Sequence, residues 1–145
     1  MTTPALMLPF LLAAVLPMPA AAAEAESDAM DARLACPASP NCVNSLGVGG
    51  LPPLAYSGDV AQGMARLRAT LAGFSEARIE ADDGQSITTI FTTLLGFRDE
   101  VVFVFDPSQL AIHFRSRSLL GYYDFGKNRS RMQEVGERFA ITAQP

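Results

Sequence analysis

Between Ala77 and Ser118 the apolar residues stop recurring every three to four positions and begin to alternate, and this change of period constrains the fold more than any other feature of the chain. Ala77 to Ala81 is predicted as a short strand, Asp83-Gly84 as a hairpin turn, and Ser86 to Thr93 as a second strand with Ile87, Thr89 and Phe91 on one face. Glu100 to Phe105 is apolar at every position from Val101, so it should run centrally with both faces covered. After Asp106-Pro107-Ser108-Gln109, the stretch Leu110 to Ser118 alternates: Leu110, Ile112, Phe114, Ser116 and Ser118 on one side, His113, Arg115 and Arg117 on the other. A helical period flanks this block at both ends. Ser57 or Asp59 can cap a helix carrying Val60, Met64, Leu67 and Leu71 on one stripe and ending at Gly73, and a last helix from Lys127 to Phe139 buries Met132, Val135 and Phe139. The expected fold is a two-layer α+β domain: a four-stranded antiparallel sheet with an N-terminal and a C-terminal helix packed on one face. Val43 to Tyr56, broken by Gly47, Gly49, Gly50, Pro52 and Pro53, has neither period and reads as an extended covering segment.

The chain of 145 residues divides into an export segment over residues 1–23, an acidic linker over 24–35 and a single domain over 36–145. Pro4 to Ala23 contains no charge; Leu6 to Leu16 resembles the apolar part of a signal peptide, and Ala21-Ala22-Ala23 or Ala23-Glu24-Ala25 supplies small residues for cleavage. No Lys or Arg precedes Arg33, so a retained N-terminal membrane anchor is the alternative. Glu24, Glu26, Asp28 and Asp31 among small residues suggest a solvated linker. With net charge -4 and pI about 4.9, broad nucleic-acid binding is disfavoured, because counterion release requires an extensive basic surface. Oligomeric state is not legible.

Cys36 and Cys42 are the only cysteines, in a chain expected to reach an oxidising compartment, and a structural disulfide is the first expectation. Redox catalysis and zinc binding are the rivals. The first normally uses two intervening residues, and the second needs more ligands than the one histidine, His113, provides. No cofactor or metal site is expected.

Two end motifs carry a resemblance. With Cys36-Pro37-x-Ser39-Pro40-Asn41-Cys42-Val43-x-Ser45 at one end and Arg115-Ser116-x-Ser118 through Gly121-Tyr122-x-Asp124-x-Gly126-x-Asn128-Arg129-x-Arg131 at the other, the chain resembles the bacterial and plastid domain of unknown function family 1499. Gly96-Phe97-Arg98-Asp99-Glu100-Val101 is similar to a third motif of that family, with Glu100 in place of an aspartate; Leu119 stands where the family usually carries a basic residue. The resemblance implies a shared set of motifs and no mechanism.

Five of the eleven Lys and Arg residues fall between Arg115 and Arg131, and this local cationic patch on an acidic chain is the candidate site. Guanidinium groups of Arg115, Arg117, Arg129 and Arg131, the hydroxyls of Ser116 and Ser118, and Tyr122, Asp124 and Asn128 in the glycine-marked loop could hold a small anionic ligand beside a helix N-terminus. The competing expectation makes the same groups structural, with Asp99 and Glu100 as charge partners and Asp124 as a helix cap, in a scaffold or protein-interaction component. A hydrolase built from His113, Ser116 or Ser118 and Asp99 is the third reading; it lacks a Gly-x-Ser-x-Gly turn, and no residue is assigned a catalytic role.

Overall fold

The structure, a computed structural model, describes residues 20–142. Its elements in chain order are α1 (Ala20–Leu34), β1 (Cys42–Asn44), β2 (Leu54–Ala55), α2 (Val60–Ala72), β3 (Ala77–Asp82), β4 (Ser86–Thr92), β5 (Arg98–Asp106), β6 (Ala111–Ser118) and α3 (Lys127–Ile141). The strands form one antiparallel sheet in the order β1-β6-β5-β4-β3, with β2 also paired to β6. The expectation of two helices on a four-stranded sheet is therefore corrected, among the described residues, to three helices and a six-stranded sheet.

Each departure has a physical reason. α1 occupies the stretch read as an acidic linker, and it is alanine-rich with no apolar stripe, so intrinsic propensity rather than amphipathic periodicity forms it. β1 and β2 hold three and two residues, too few to show a period, and they exist because β6 offers them a partner along its outer edge. Leu110, expected on the apolar face of the last strand, sits instead in the turn before β6 with φ 50° and its side chain exposed. The expected export segment over residues 1–23 lies outside the described residues, except for its last four, which open α1.

α2 begins where its cap was expected. The Asp59 carboxylate accepts the Gln62 N–H at 2.8 Å while Gln62 accepts the Asp59 N–H at 3.0 Å, closing a capping box. Met64, Leu67 and Leu71 of α2 and Met132, Val135 and Phe139 of α3 pack with Ile87, Phe91, Val101, Phe103 and Phe114 on one sheet face. On the reverse face, Leu34 and Met30 of α1 cover Val102 and Val104, so β5 is buried on both sides as its apolar run requires. Burying a residue the size of Leu34 contributes about 2 kcal/mol, and this small second cluster is what seats α1.

Candidate functional site

At the sheet end where β4 passes into β5 and β6 into α3, alternation divides the polar residues of the motifs between two faces. Asp99 follows the register of Val101 and Phe103 and points toward α3; Glu100 follows Val102 and points the other way. The same parity separates Ser116 from Arg115 and Arg117 on β6.

On the helix face Arg131 projects from the second turn of α3 onto β5. Its Nη2 lies 2.6 Å from Asp99 Oδ2, with both side chains 4% exposed, and its guanidinium stacks over the Phe91 ring at 4.8 Å. Asn128, fully buried one turn earlier, is the hub. Its Oδ1 accepts from Ser116 Oγ at 2.6 Å and from Arg131 Nη1 at 3.3 Å. Its Nδ2 donates to Asp124 Oδ2 at 2.7 Å, Ser118 Oγ at 3.0 Å and the Asn41 carbonyl at 3.1 Å. Asp124 also accepts the N–H groups of Gly126 and Asn128, at 3.1 and 2.8 Å, and so caps α3 from outside its first turn.

The cysteine motif meets this hub. Cys36 and Cys42 are bonded, which places Asn41 under the loop after β6. Asn41 Nδ2 donates to the Gly121 carbonyl at 2.6 Å, its Oδ1 accepts from Ser39 Oγ at 2.7 Å, and its carbonyl accepts the Ser118 N–H at 3.0 Å. Three segments far apart in sequence are thus tied by one buried hydrogen-bonded network.

On the reverse face Glu100 Oε1 receives Arg115 Nη2 at 2.7 Å and Arg117 Nε at 3.0 Å. Arg115 also donates to the Ala35 carbonyl at 3.4 Å and Asn44 Nδ2 to the Leu34 carbonyl at 2.8 Å, so a cation and an amide meet the C-terminal end of α1. His113 is buried here, its Nδ1 3.2 Å from Ser45 Oγ.

All of the site residues read from the sequence lie at this end, but they do not converge on one point. Ser116, Ser118, Asp124, Asn128 and Arg131 come together with Asp99; Arg115 and Arg117 stand across the sheet with Glu100; exposed Arg129 bonds to the Gly49 carbonyl through Nη1; Tyr122 is exposed. The hydrolase residues are also split, His113 facing α1 while Asp99 and Ser116 face α3. Among the described residues no group of three His, Cys, Asp or Glu side chains could hold a metal ion.

Ser39, Asn41 and Asn44 are structural members that the reading of charges passed over; an Asn beside a cysteine ring and an Asn ahead of a Ser-Leu-Gly turn are the signals that mark them. A second omission is apolar. The β4–β5 turn exposes Leu94, Leu95 and Phe97, and the loop over residues 119–126 exposes Leu119, Leu120, Tyr122, Tyr123 and Phe125. The Leu119 N–H donates to the Arg98 carbonyl at 3.0 Å, so the two loops stand side by side. Phe125 is 91% exposed at φ 54°, a left-handed conformation that phenylalanine seldom adopts, and its ring stacks edge-on against Tyr123 at 5.1 Å.

No curated protein and no solved structure matches the chain. The family model described as a protein of unknown function, DUF1499, covers residues 34–139, which takes in the cysteine ring, the whole sheet and the Asn128–Arg131 turn, and the chain belongs to that family.

Proposed function

We propose that this chain is a non-catalytic interaction domain, acting outside the cytoplasm, in which the buried polar network is a scaffold that presents the paired loops 93–97 and 119–126 to a partner. One observation carries the reading: the guanidinium groups of Arg115, Arg117 and Arg131 are closed by Glu100 and Asp99, whereas the apolar side chains of the loops they brace are left in solvent. A small anion at the Arg and Ser residues of the strand end would have to displace carboxylates already in contact, so the geometry supports scaffolding over ligand capture. The Cys36–Cys42 bond supports a location in an oxidising compartment.

A photo-crosslinking residue placed at Phe125 tests this in the cells that make the protein, with the same residue at Ser108 in the β5–β6 turn as control. The expected result is a discrete adduct, to protein or to lipid, from position 125 and none from 108. Equal labelling at both positions, or none at 125, would refute the proposed docking surface.

A further inference from the structure

Resting on that reading of the loops, we infer that their partner is the surface of an anionic lipid bilayer, into which the two tips insert side by side. The apolar groups protrude from turns rather than line a groove: Leu94, Leu95 and Phe97 on one tip, Leu120, Tyr123 and Phe125 on the other, with Leu95 at 84% and Phe125 at 91% exposure. Protruding leucine and phenylalanine with tyrosine among them is the composition that rests at the boundary between headgroups and acyl chains, where tyrosine keeps its hydroxyl wet.

Charge selects the kind of surface. In the loops and their roots, residues 93–98 and 117–129, stand four cations, Arg98, Arg117, Lys127 and Arg129, against one acid, Asp124, on a chain whose net charge is -4; Arg117 is held by Glu100 and Arg98 lies 4.0 Å from Glu80, so Lys127 and Arg129 are, among the described residues, the two of them with no carboxylate at ion-pair distance. Asp124 is turned inward to cap α3. A second copy of this chain, docking by the same end, would bring the cations together. A bilayer bearing anionic headgroups instead meets apolar tips with acyl chains and the cationic rim with phosphate, and each Lys or Arg near such a surface adds to the attraction until salt screens it. The left-handed Phe125 fits the same account. Its conformation turns the ring away from the α3 core and holds it against Tyr123, which aims an aromatic pair outward at the expense of local backbone freedom.

The chain contains no tryptophan, so Phe125→Trp in the full chain reports on the loop alone, whatever other segments do, and Ser108→Trp reports on the turn at the other end of β5. Both are titrated with phosphatidylcholine vesicles and with vesicles containing phosphatidylglycerol. The expected result is a blue-shifted emission at position 125, quenched by brominated acyl chains, with apparent affinity at least about tenfold higher on the anionic vesicles, and no change at position 108. Leu95→Asp in the Phe125→Trp background should lower that affinity by about tenfold or more, and Lys127→Glu with Arg129→Glu should abolish the preference for anionic lipid. Leu95 is exposed, so an unchanged melting temperature confirms that the Asp variant is folded. No shift at 125 on any vesicle, equal shifts on both vesicle types, or a shift indifferent to Leu95→Asp would each overturn the bilayer proposal. If adducts at Phe125 in cells are then to a protein, the docking surface stands and only its occupant changes; if there are none, both fall.

Discussion

Replacing Arg131 by methionine is the most direct test of the internal network. The side chain is 4% exposed and its one carboxylate partner among the described residues, Asp99 at 2.6 Å, is equally buried, so the substitution leaves a desolvated acid without a counter-charge. Breaking a buried pair from one side costs about 3–5 kcal/mol, and the lost stacking on Phe91 adds on the order of 0.5–1 kcal/mol. Against a total stability of roughly 5–15 kcal/mol for a domain, this is a large fraction. With a urea m-value of about 2 kcal/mol per molar, the unfolding midpoint should fall by roughly 2 M, followed by circular dichroism at constant m. Arg131→Met with Asp99→Leu removes both charges and should recover most of the loss, because two apolar groups of similar volume no longer strand a charge. The exposed pair Arg138–Glu134, also at 2.6 Å, is the control: Glu134→Ala should cost only about 0.3–0.5 kcal/mol. If Arg131→Met cost no more than about 1 kcal/mol, or the double variant were no more stable than the single, the network would not be the brace described here.

Arg129 neutralises no buried acid, so Arg129→Ala should lower stability by less than about 1 kcal/mol in the same urea assay. Reducing the Cys36–Cys42 bond should cost about 2 kcal/mol by loop entropy for so short a ring, and amide exchange should quicken first around Gly121, which Asn41 anchors. At Gly63 an added Cβ would sit 2.8 Å from the Tyr56 ring and 3.0 Å from the Phe105 ring, so Gly63→Ala should lower the melting temperature through overpacking of about 1–3 kcal/mol. The hydrogen bond from Arg68 holds the Asp82 carboxyl below the usual carboxylate range, and the N–H of Gln85 with the Ser86 hydroxyl does the same for Asp83. Because both carboxyls take up protons more readily unfolded, the stability they add is full above about pH 4 and is lost as pH falls through their lowered folded values; Asp83→Asn should flatten the acid-side decline in melting temperature.

What could be read in advance was whatever repeats. β3 to β6, α2 and α3 declare themselves because packing against a core imposes a period of two or of 3.6 on Ile87, Val101, Leu67 or Met132. α1 declares nothing, since its contact with the sheet rests on Met30, Arg33 and Leu34 near its end, and the residues before Met30 are small or acidic. β1 and β2 gain strand identity only from β6. The candidate site was legible in residue types and not in pairings. The sequence offered Asp99 and Glu100 alike as charge partners, and only the observed register gives Glu100 to Arg115 and turns Asp99 to the other face. Nothing local could announce that Arg131 reaches Asp99, or that Asn128 reaches Asn41 across 87 positions, because those contacts are products of the crossing of α3 over the sheet. Leu94, Leu95, Tyr123 and Phe125 went unremarked for the opposite reason: they look like core residues until the core is found to be full without them.

The two margins of the sheet bear on how such a domain survives at high concentration. β3 closes one margin with Arg78, Glu80 and Asp82 interleaved along it and a register shift between Ile79 and Ala81. The other margin is broken into β1 and β2, separated by a run containing Gly47, Gly49, Gly50 and two prolines. Neither offers a long flat row of free main-chain donors and acceptors on which a foreign strand could template itself. A molecule carrying this many uncovered leucines and aromatics at one end would be an aggregation hazard if its rims were also sticky. Blunted rims remove the main-chain route to strand-on-strand association and leave side chains, most densely those of loops 93–97 and 119–126, as the uncovered apolar surface.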